Sequence, residues 1–315
     1  MNIIYKVKNP VAIFIYNKPD TTRKVFNQIK KVQPKTLYVV ADGSKNSTEE
    51  QLVIQTRNIF ENISWDCQVN KIYSDSNLGL KERFKTGLND VFSVEESLII
   101  LEDDTLPSIS FFKYCDLLLE RYTDNKKIIQ INGHNYISKV NSLDSYYVTR
   151  FSELWGWATW KDRWFNNYND DFYKEWENLK NTESFKEKFI NESLYFYFKK
   201  IFDNAHSNVI DSWEFPWLYS MVKNDLYALS PSKNLVKNLG FGHPGATHTH
   251  QKLKYYSITR NKKYELKFPL KHPKQILQKD ELIINEFKKR QLENSNLSKL
   301  IYIFKKFSKT LKLSR

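Results

Sequence analysis

Short apolar runs alternate with helical patterns of apolar residues through the first hundred residues of the chain. The runs cover residues 11–16, 37–41, 67–73 and 98–101, and several are rich in β-branched residues. Runs of this length and composition suit strands that are buried on both faces. Between them, apolar residues recur at helical spacing, as in the helix predicted over residues 80–92. The pattern therefore predicts four strands joined by three helices.

This alternation, with short connections, predicts a parallel sheet covered by helices on both faces. The carboxyl ends of parallel strands lie along one edge of the sheet, where open α/β proteins bind their ligands. Polar residues follow each of the four predicted strands. They are Asn17, Asp42, Asn77 with Gly79, and the triplet Glu102, Asp103 and Asp104. We therefore predict one ligand site along this edge.

The acidic triplet comes directly after the fourth predicted strand. Neighbouring carboxylates repel one another, so they are best tolerated where a divalent cation with oxygen ligands offsets their charge. Taken alone, such a triplet more often forms a solvated acidic turn. The three other polar strand ends on the same predicted edge favour the metal site.

The predicted strand–helix region, residues 11–101, has no glycine-rich signature for phosphate binding. Neither a G-x-G-x-x-G nor a Walker-type loop occurs in that region, which argues against a nicotinamide enzyme and against a P-loop ATPase. A diphosphate would therefore be neutralised by the metal and by a basic side chain. Lys81 and Arg83, just past Gly79, are candidates for that role, and a solvated helix face is the alternative for both.

Four tryptophans stand close together at positions 155, 157, 160 and 164. Dense aromatic residues usually form core, as we expect for Trp160 and Trp164. Gly156 predicts a tight turn that presents Trp155 or Trp157 outward, where an indole face can stack on a sugar. The segment is therefore a candidate acceptor pocket. His134, which follows another predicted strand, is expected to be a hydrogen-bonded structural histidine.

Two carboxylates, Asp211 and Glu214, stand three residues apart at the start of a predicted helix. One interpretation is a capping pair, with Asp211 as the N-cap. The other is that both side chains share one face, where either could accept a proton from a bound hydroxyl.

Residues 239–250 are rich in glycine and histidine, with one proline. This composition predicts a mobile loop with phosphate donors, among them His248, that covers the site. The histidine spacing does not match that of a zinc site.

Composition narrows the class of protein. The chain has 315 residues, a formal net charge of +13 and 41% hydrophobic residues, so we expect a globular protein with an anionic partner. The two cysteines have no metal-type spacing and suit free thiols in a reducing compartment. The N-terminus lacks a secretory pattern and no apolar run is long enough to span a membrane, so we expect a cytoplasmic protein.

The last twenty residues, 296–315, form a basic amphipathic pattern. Leucine, isoleucine and phenylalanine recur on one face, lysine and arginine surround them, and no acidic residue occurs. Such a helix is typical of a peripheral anchor on an anionic membrane surface. Docking on the protein itself or on another subunit is the alternative.

Taken in order, the motifs resemble those of a known enzyme family over roughly residues 8–250. The motifs are V-A-I-F-I-Y-N-K-P, A-D-G-S, S-N-L-G-L-K-E-R, L-I-I-L-E-D-D-T-L-P, L-W-G-W-A-T-W, D-S-W-E-F-P-W and N-L-G-F-G-H-P-G-A-T-H-T. The chain resembles GT-A fold glycosyltransferases that use nucleotide-sugars. In particular, it resembles bacterial family 2-like enzymes related to the N-acetylglucosaminyltransferases of the N-glycan pathway.

The resemblance implies an α/β, Rossmann-like GT-A fold with a mostly parallel sheet flanked by helices. Residues 1–132 would bind the nucleotide-sugar, and residues 133–250 would form the aromatic-rich acceptor and catalytic half of the same domain. Residues 251–295 would be a C-terminal extension, before the amphipathic tail 296–315.

The resemblance also implies roles for single residues. Asp104 would bind Mn²⁺ or Mg²⁺ and Asp103 the ribose or donor sugar, with Glu102 as a supporting carboxylate. Asp42 would meet the nucleoside. The general base aligns on either Asp211 or Glu214, with Asp211 preferred. The remaining predicted substrate-binding residues are Asn17, Asn77, Gly79, Arg83, Trp155, Trp157 and His248.

The implied activity is inverting, metal-dependent transfer of a hexosyl or N-acetylhexosaminyl group. The donor would be a nucleotide-sugar, expected to be a UDP-sugar, and the acceptor a glycan or lipid-linked hydroxyl in bacterial surface polysaccharide synthesis. A sugar-nucleotide pyrophosphorylase or other nucleotidyltransferase is the alternative, although such enzymes usually carry a glycine-rich basic loop after the first strand. A nucleic-acid-binding protein is disfavoured because the basic residues are scattered and concentrated in the tail.

Overall fold

The computed structural model describes residues 5–135, 144–168, 170–189, 191–207, 212–244 and 262–273. The chain forms two compact units, Met1–Gln278 and Lys279–Arg315. All of the described residues belong to the first unit. Asp211, His248 and the basic tail 296–315 therefore lie outside the described residues, and their predicted roles stay predictions.

Strands and helices alternate in the first half of the described chain and become irregular in the second. The strands are β1 (Val11–Ile15), β2 (Thr36–Ala41), β3 (Gln68–Tyr73), β4 (Ser97–Glu102), β5 (Thr105–Pro107), β6 (Ile128–Asn132), β7 (Tyr146–Thr149), β8 (Trp157–Trp160), β9 (Tyr227–Pro231) and β10 (Val236–Asn238). The helices are α1 (Pro19–Val32), α2 (Ser47–Arg57), α3 (Leu80–Phe92), α4 (Ile109–Arg121), α5 (Lys161–Asn167), α6 (Phe172–Leu179), α7 (Glu183–Lys186), α8 (Glu192–His206) and α9 (Glu214–Lys223).

One mixed sheet carries eight of these strands, in the order β3-β2-β1-β4-β8-β6-β9-β7. Strands β3, β2, β1 and β4 are parallel neighbours, and β6 and β9 are parallel to each other. Strand β8 runs antiparallel to both β4 and β6, and β7 runs antiparallel to β9. The predicted α/β fold with a mostly parallel sheet flanked by helices is therefore confirmed.

Each face of the sheet has its own apolar core, because successive side chains of a strand point to opposite faces. On β1, Ile13 packs in one core, which also contains the buried face of α1, and Phe14 packs in the other, with Phe84 of α3. Every residue of β1 is buried. The helices thus shield both faces and leave the strand ends as the accessible polar edge.

Two smaller features differ from the sequence expectation. Ser47, with Glu50 three residues later, predicts a capping box for α2. In the structure Asn46 caps α2 instead: its side chain accepts hydrogen bonds from the backbone N–H groups of Thr48 and Glu49. Strand β8 is not predicted by the sequence pattern, which indicates a turn at Gly156 and a core position for Trp160. In the described part of the chain, no helix has the length and apolar character needed to span a membrane.

Candidate functional site

The acidic end of β4 and the first turn after β1 meet at the carboxyl edge of the sheet. Lys18 Nζ lies 3.1 Å from Asp103 Oδ1 and 2.7 Å from Asp104 Oδ2. The backbone N–H of Tyr16 donates to Asp103 Oδ2 at 3.1 Å. Lys18 follows Asn17 at the end of the first predicted strand, and the sequence pattern gives it no role. The missing signal was long-range, because only the pairing of β1 with β4 brings Lys18 to the acidic triplet.

Strand register explains this meeting. Strands β1 and β4 are parallel neighbours with Phe14 opposite Glu102, so the residues that follow each position lie side by side. Helix α1 begins at Pro19, and the carbonyl of Lys18 accepts hydrogen bonds from the backbone N–H of Thr22 at 3.0 Å and from its hydroxyl at 2.6 Å. The backbone of Lys18 is therefore fixed, and its side chain extends to the carboxylates.

Burial and mutual repulsion shift the proton affinities of this cluster. Burial, followed by the charge of Asp104, raises the pKa of Glu102 well above its usual value. Burial also raises the pKa of Asp103 to about 6, although Lys18 opposes that change. Burial would lower the pKa of Lys18, but Asp103 and Asp104 together raise it above its usual value. Lys18 is therefore firmly protonated and acts as the cation of the cluster.

The first residues of the predicted covering loop lie directly against Asp104. Strand β10 pairs with β5, and the backbone N–H of Leu239 donates to the carbonyl of Asp104 at 2.7 Å. A Cβ atom at Gly240 would come within 2.5 Å of Asp104 Oδ2, so a larger residue here would displace that carboxylate. Further along the loop, His243 contacts helix α1 instead: its Nε2 lies 3.0 Å from Asp20 Oδ1. The structure thus brings the start of this loop to the acidic strand end.

Asp42, Asn77 and Gly79 are brought together in a second cluster on the same edge. The buried carboxylate of Asp42 accepts hydrogen bonds from the backbone N–H groups of Gly43 at 2.9 Å, Leu78 at 2.9 Å and Gly79 at 3.0 Å. The side-chain amide of Asn77 donates to it at 3.1 Å. Asp42 therefore ties the end of β2 to the loop after β3.

Asn17 and Arg83, which the sequence also predicts to bind the substrate, lie outside the Asp42 cluster. Asn17 has a buried side-chain oxygen that accepts no hydrogen bond from the described residues, so an acceptor is left for a ligand. Arg83 is 8% exposed, and its guanidinium donates to the carbonyl of Ile72 at 3.3 Å. Burial lowers the pKa of Arg83. The structure places this guanidinium against β3 and not against the acidic triplet.

Glu214 opens helix α9. Within the described ranges no hydrogen bond reaches its side chain. Burial, followed by the charge of Glu153, raises the pKa of Glu214 to about 7. The charge of Glu214 in turn contributes to the raised pKa of Glu102, which shows that the two sides of the site are electrostatically coupled.

Glu153 and Trp155 belong to the segment that precedes β8. Because β8 runs antiparallel to β4, with Trp157 opposite Ile100, it is the amino end of β8 that reaches the carboxyl edge. Glu153 Oε2 lies 2.7 Å from Nδ1 of buried His134. This confirms the prediction of a hydrogen-bonded His134.

Aromatic rings pack around Trp155. The ring of His134 lies 4.4 Å from that of Trp155, centroid to centroid, and Phe241 meets the same indole edge-on at 5.3 Å. The prediction for Trp157 is wrong. Its side chain is fully buried between Trp213 and Trp217, so neither of its faces is open to a sugar. Of the two predicted stacking residues, only Trp155 is partly exposed. Trp160 and Trp164 are buried, as predicted.

The carboxylates of Asp103 and Asp104 suit a metal ion whose other ligands are not protein side chains. Among the residues that the structure describes, no three histidine, cysteine, aspartate or glutamate side chains form a metal-binding group. Magnesium sites commonly use one or two carboxylates, with water and substrate phosphates as the other ligands. Asp103 and Asp104 are hard oxygen donors that already hold the ammonium of Lys18 between them.

Comparisons with known proteins add only distant similarities. No protein-family model and no curated protein matches this chain. Among solved structures, the galactosyltransferase LgtC in complex with donor and acceptor sugar analogues is 9% identical, with a TM-score of 0.38 over 82% of this chain and 84% of its own.

Two nucleotide-processing enzymes are also similar. The 4-diphosphocytidyl-2C-methyl-D-erythritol synthase of Anaerococcus prevotii is 12% identical, with a TM-score of 0.29 over 61% of this chain and 84% of its own. A UDP-glucose pyrophosphorylase complexed with UDP-glucose is 11% identical, with a TM-score of 0.25 over 45% of this chain and 62% of its own. Likenesses at this level do not choose between functions, so the geometry of the site must do so.

Proposed function

We propose that this protein is an inverting, metal-dependent glycosyltransferase that moves a sugar from a nucleotide-sugar to a hydroxyl group. The observation that supports it best is the position of Glu214. This carboxylate has no hydrogen-bond partner among the described residues, has a pKa raised to about 7, and is electrostatically coupled to the acidic end of β4. A base at that pKa beside a cation-binding strand end suits hydroxyl activation against a phosphate leaving group.

The donor side would consist of the polar ends of β1, β2, β3 and β4. Asp103 and Asp104 would hold Mn²⁺ or Mg²⁺, which when bound stabilises the charge of the departing diphosphate. Asn17 offers its unused side-chain oxygen to the nucleotide. Asp42 fixes the Asn77–Gly79 turn, so its contribution to nucleotide binding would come through the shape of that turn.

The acceptor side would consist of Glu153, Trp155 and Glu214. Trp155 supplies an indole face on which a sugar ring can stack. Glu214 would take the proton of the acceptor hydroxyl as that oxygen attacks the anomeric carbon. The new carbon–oxygen bond forms on the face opposite the diphosphate, whose bond to the same carbon breaks, so the configuration inverts. Asp211, three residues earlier and outside the described residues, is the other candidate for this base.

A binding and turnover assay on the full chain tests this proposal. UDP-, GDP- and dTDP-sugars are screened by thermal shift with Mn²⁺ and with EDTA, because a ligand that binds only the folded state raises the melting temperature. Turnover is then followed as release of nucleoside diphosphate. We expect a UDP-sugar to stabilise the protein only with Mn²⁺, and Asp104→Asn to abolish turnover.

Asp124→Asn is the matched control, because Asp124 is an exposed aspartate away from the acidic triplet. Full turnover in EDTA would contradict the metal role. Formation of a nucleoside triphosphate and a sugar 1-phosphate from the nucleotide-sugar, when pyrophosphate is added, would identify a nucleotidyltransferase.

The cellular setting forms part of the proposal. A lipid-linked or glycan acceptor in surface polysaccharide synthesis at the inner face of a bacterial membrane would suit the basic composition of residues 296–315. Each lysine near an anionic surface contributes about 1 kcal/mol to binding. The paired change Lys305→Ser and Lys306→Ser should therefore weaken flotation with phosphatidylserine vesicles, and unchanged flotation would count against the anchor.

A further inference from the structure

The ammonium of Lys18 lies between the two carboxylates that directly follow β4. It bridges Asp103 and Asp104, at 3.1 Å and 2.7 Å. The three side chains are only 14%, 7% and 14% exposed, so this ion pair is largely removed from water, unlike most surface pairs. In the described chain, no other basic side chain forms a salt bridge with either aspartate. Any second cation at these oxygens must therefore compete with Lys18.

The charge balance favours such a second cation. Asp103 and Asp104 together carry more negative charge than one ammonium offsets, and Glu102 adds a third carboxyl beside them. A divalent ion would supply the missing positive charge, but it would repel an ammonium that contacts the same oxygens. The two cations cannot both keep their best contacts with Asp104.

Departure of the Lys18 side chain would leave the contacts of its backbone in place. Its backbone is held by Thr22 at the start of α1. Its four-carbon stem is flexible, and its ammonium is a point charge without fixed bonding geometry. When the ammonium leaves Asp104, a phosphate group that accompanies the metal would offer it a new anionic partner.

We propose that Lys18 is the resident counter-ion of Asp103 and Asp104, that a divalent cation displaces it, and that the released ammonium binds the diphosphate. The second step rests on the proposed function, because it requires a diphosphate in the site. The competition between Lys18 and the divalent cation does not.

Binding of Mn²⁺ alone to the full chain, measured by electron paramagnetic resonance, tests the competition. Lys18→Met should bind Mn²⁺ about tenfold more tightly than the wild type, a size typical of coupling between ligands at neighbouring positions. Lys18→Arg should stay near the wild type, because it keeps the charge. Lys24→Met is the control: Lys24 is 58% exposed and reaches only Asp20, at 3.8 Å.

Binding of inorganic pyrophosphate at saturating Mn²⁺ tests the second step. Lys18→Met should bind it about tenfold more weakly. Opposite changes in the two affinities distinguish ion exchange from damage to the fold, which would weaken both. A Lys18→Gln variant, with melting curves recorded in EDTA and in Mn²⁺, provides a second check on folding.

Unchanged or weaker Mn²⁺ binding by both uncharged variants would overturn the exchange, and so would a lack of Mn²⁺ binding by every protein. Tighter Mn²⁺ binding by Lys18→Met, together with a wild-type protein that transfers no sugar from any donor tested, would instead overturn the proposed function and leave the exchange in place.

Discussion

Asp42, Asp103 and Asp104 on one side of the sheet edge differ from Glu214 on the other side in the partners of their carboxylates. On the side of β1 to β4, Asp42 accepts four hydrogen bonds, and Asp103 and Asp104 share the ammonium of Lys18. On the side of α9, Glu214 accepts no hydrogen bond within the described chain, and Glu153 repels it. Saturated carboxylates hold neighbouring segments in place, whereas an unsatisfied one with a raised pKa can exchange a proton near neutral pH.

Removal of the unsatisfied carboxylate is expected to have the largest effect. Glu214→Gln should lower kcat by about 10²–10⁴-fold, because a general base contributes that much, while the melting temperature does not fall. Steady-state kinetics of nucleoside diphosphate release measure the change. Glu192→Gln is the matched control, because Glu192 holds the same first position in α8 and is exposed. A normal rate in Glu214→Gln would shift the role to Asp211.

Trp155 and Trp157 are two residues apart but differ in burial. Trp157→Ala should lower the free energy of unfolding by about 3–5 kcal/mol, because its side chain is fully buried. Trp155→Ala should cost much less and should chiefly raise KM for the acceptor. Urea denaturation and acceptor kinetics of the two variants provide the comparison. Equal losses of stability would mean that Trp155 is also a core residue.

The raised pKa of Glu214 predicts a particular pH dependence of stability. Between the ordinary glutamate value and about 7 the folded state holds a proton that the unfolded state has lost. Stability contributed by the protonated form is therefore present at acidic pH and declines as pH rises through that window. Above pH 7, Glu214→Gln should be more stable than the wild type by up to about 3 kcal/mol.

Urea titrations of both proteins at pH 5 and pH 8 measure that difference, which should shrink at the lower pH. The rate of the wild type should follow the reverse course and fall below about pH 7, as the base becomes protonated. Parallel stability curves for the two proteins at both pH values would show that Glu214 is not the titrating group.

The saturated side should respond least to a conservative change. Asp42→Asn replaces one acceptor oxygen by a donor amide that faces N–H groups, and should cost about 1–3 kcal/mol of stability. Because Asp42 holds the Asn77–Gly79 turn, nucleotide affinity should fall together with stability. Denaturation and nucleotide thermal shift measure the two quantities, and an affinity loss without a stability loss would indicate direct contact between Asp42 and the nucleotide.

Local patterns were sufficient to predict the parallel half of the sheet. The apolar run at residues 98–101 lies in β4, Ser97–Glu102. A strand that is buried on both faces is recognisable in a sequence by its adjacent apolar residues. Helix α3 runs over Leu80–Phe92, as its spacing predicted. The predicted convergence of polar strand ends followed from topology alone and is present in the structure.

Long-range packing decided what local patterns did not reveal. Whether Trp155 or Trp157 faces outward depends on Trp213 and Trp217, which are more than fifty residues away in the chain. The contact of Lys18 with Asp104 depends on strand register, and the position of Arg83 on its packing against β3. Such details arise from which elements become neighbours, and a single sequence read in order does not contain them.

The reversed direction of β8 has a consequence for how this protein could diversify. Since β8 enters the sheet from the carboxyl edge, Glu153 and Trp155 stand on a segment that leads into a strand, while the donor-side residues follow strands. That entry segment can change in length or sequence without altering the ends of β1 to β4. Under the proposed function, acceptor choice could therefore be changed by exchange of this segment, while the strand ends proposed to bind the nucleotide stay the same.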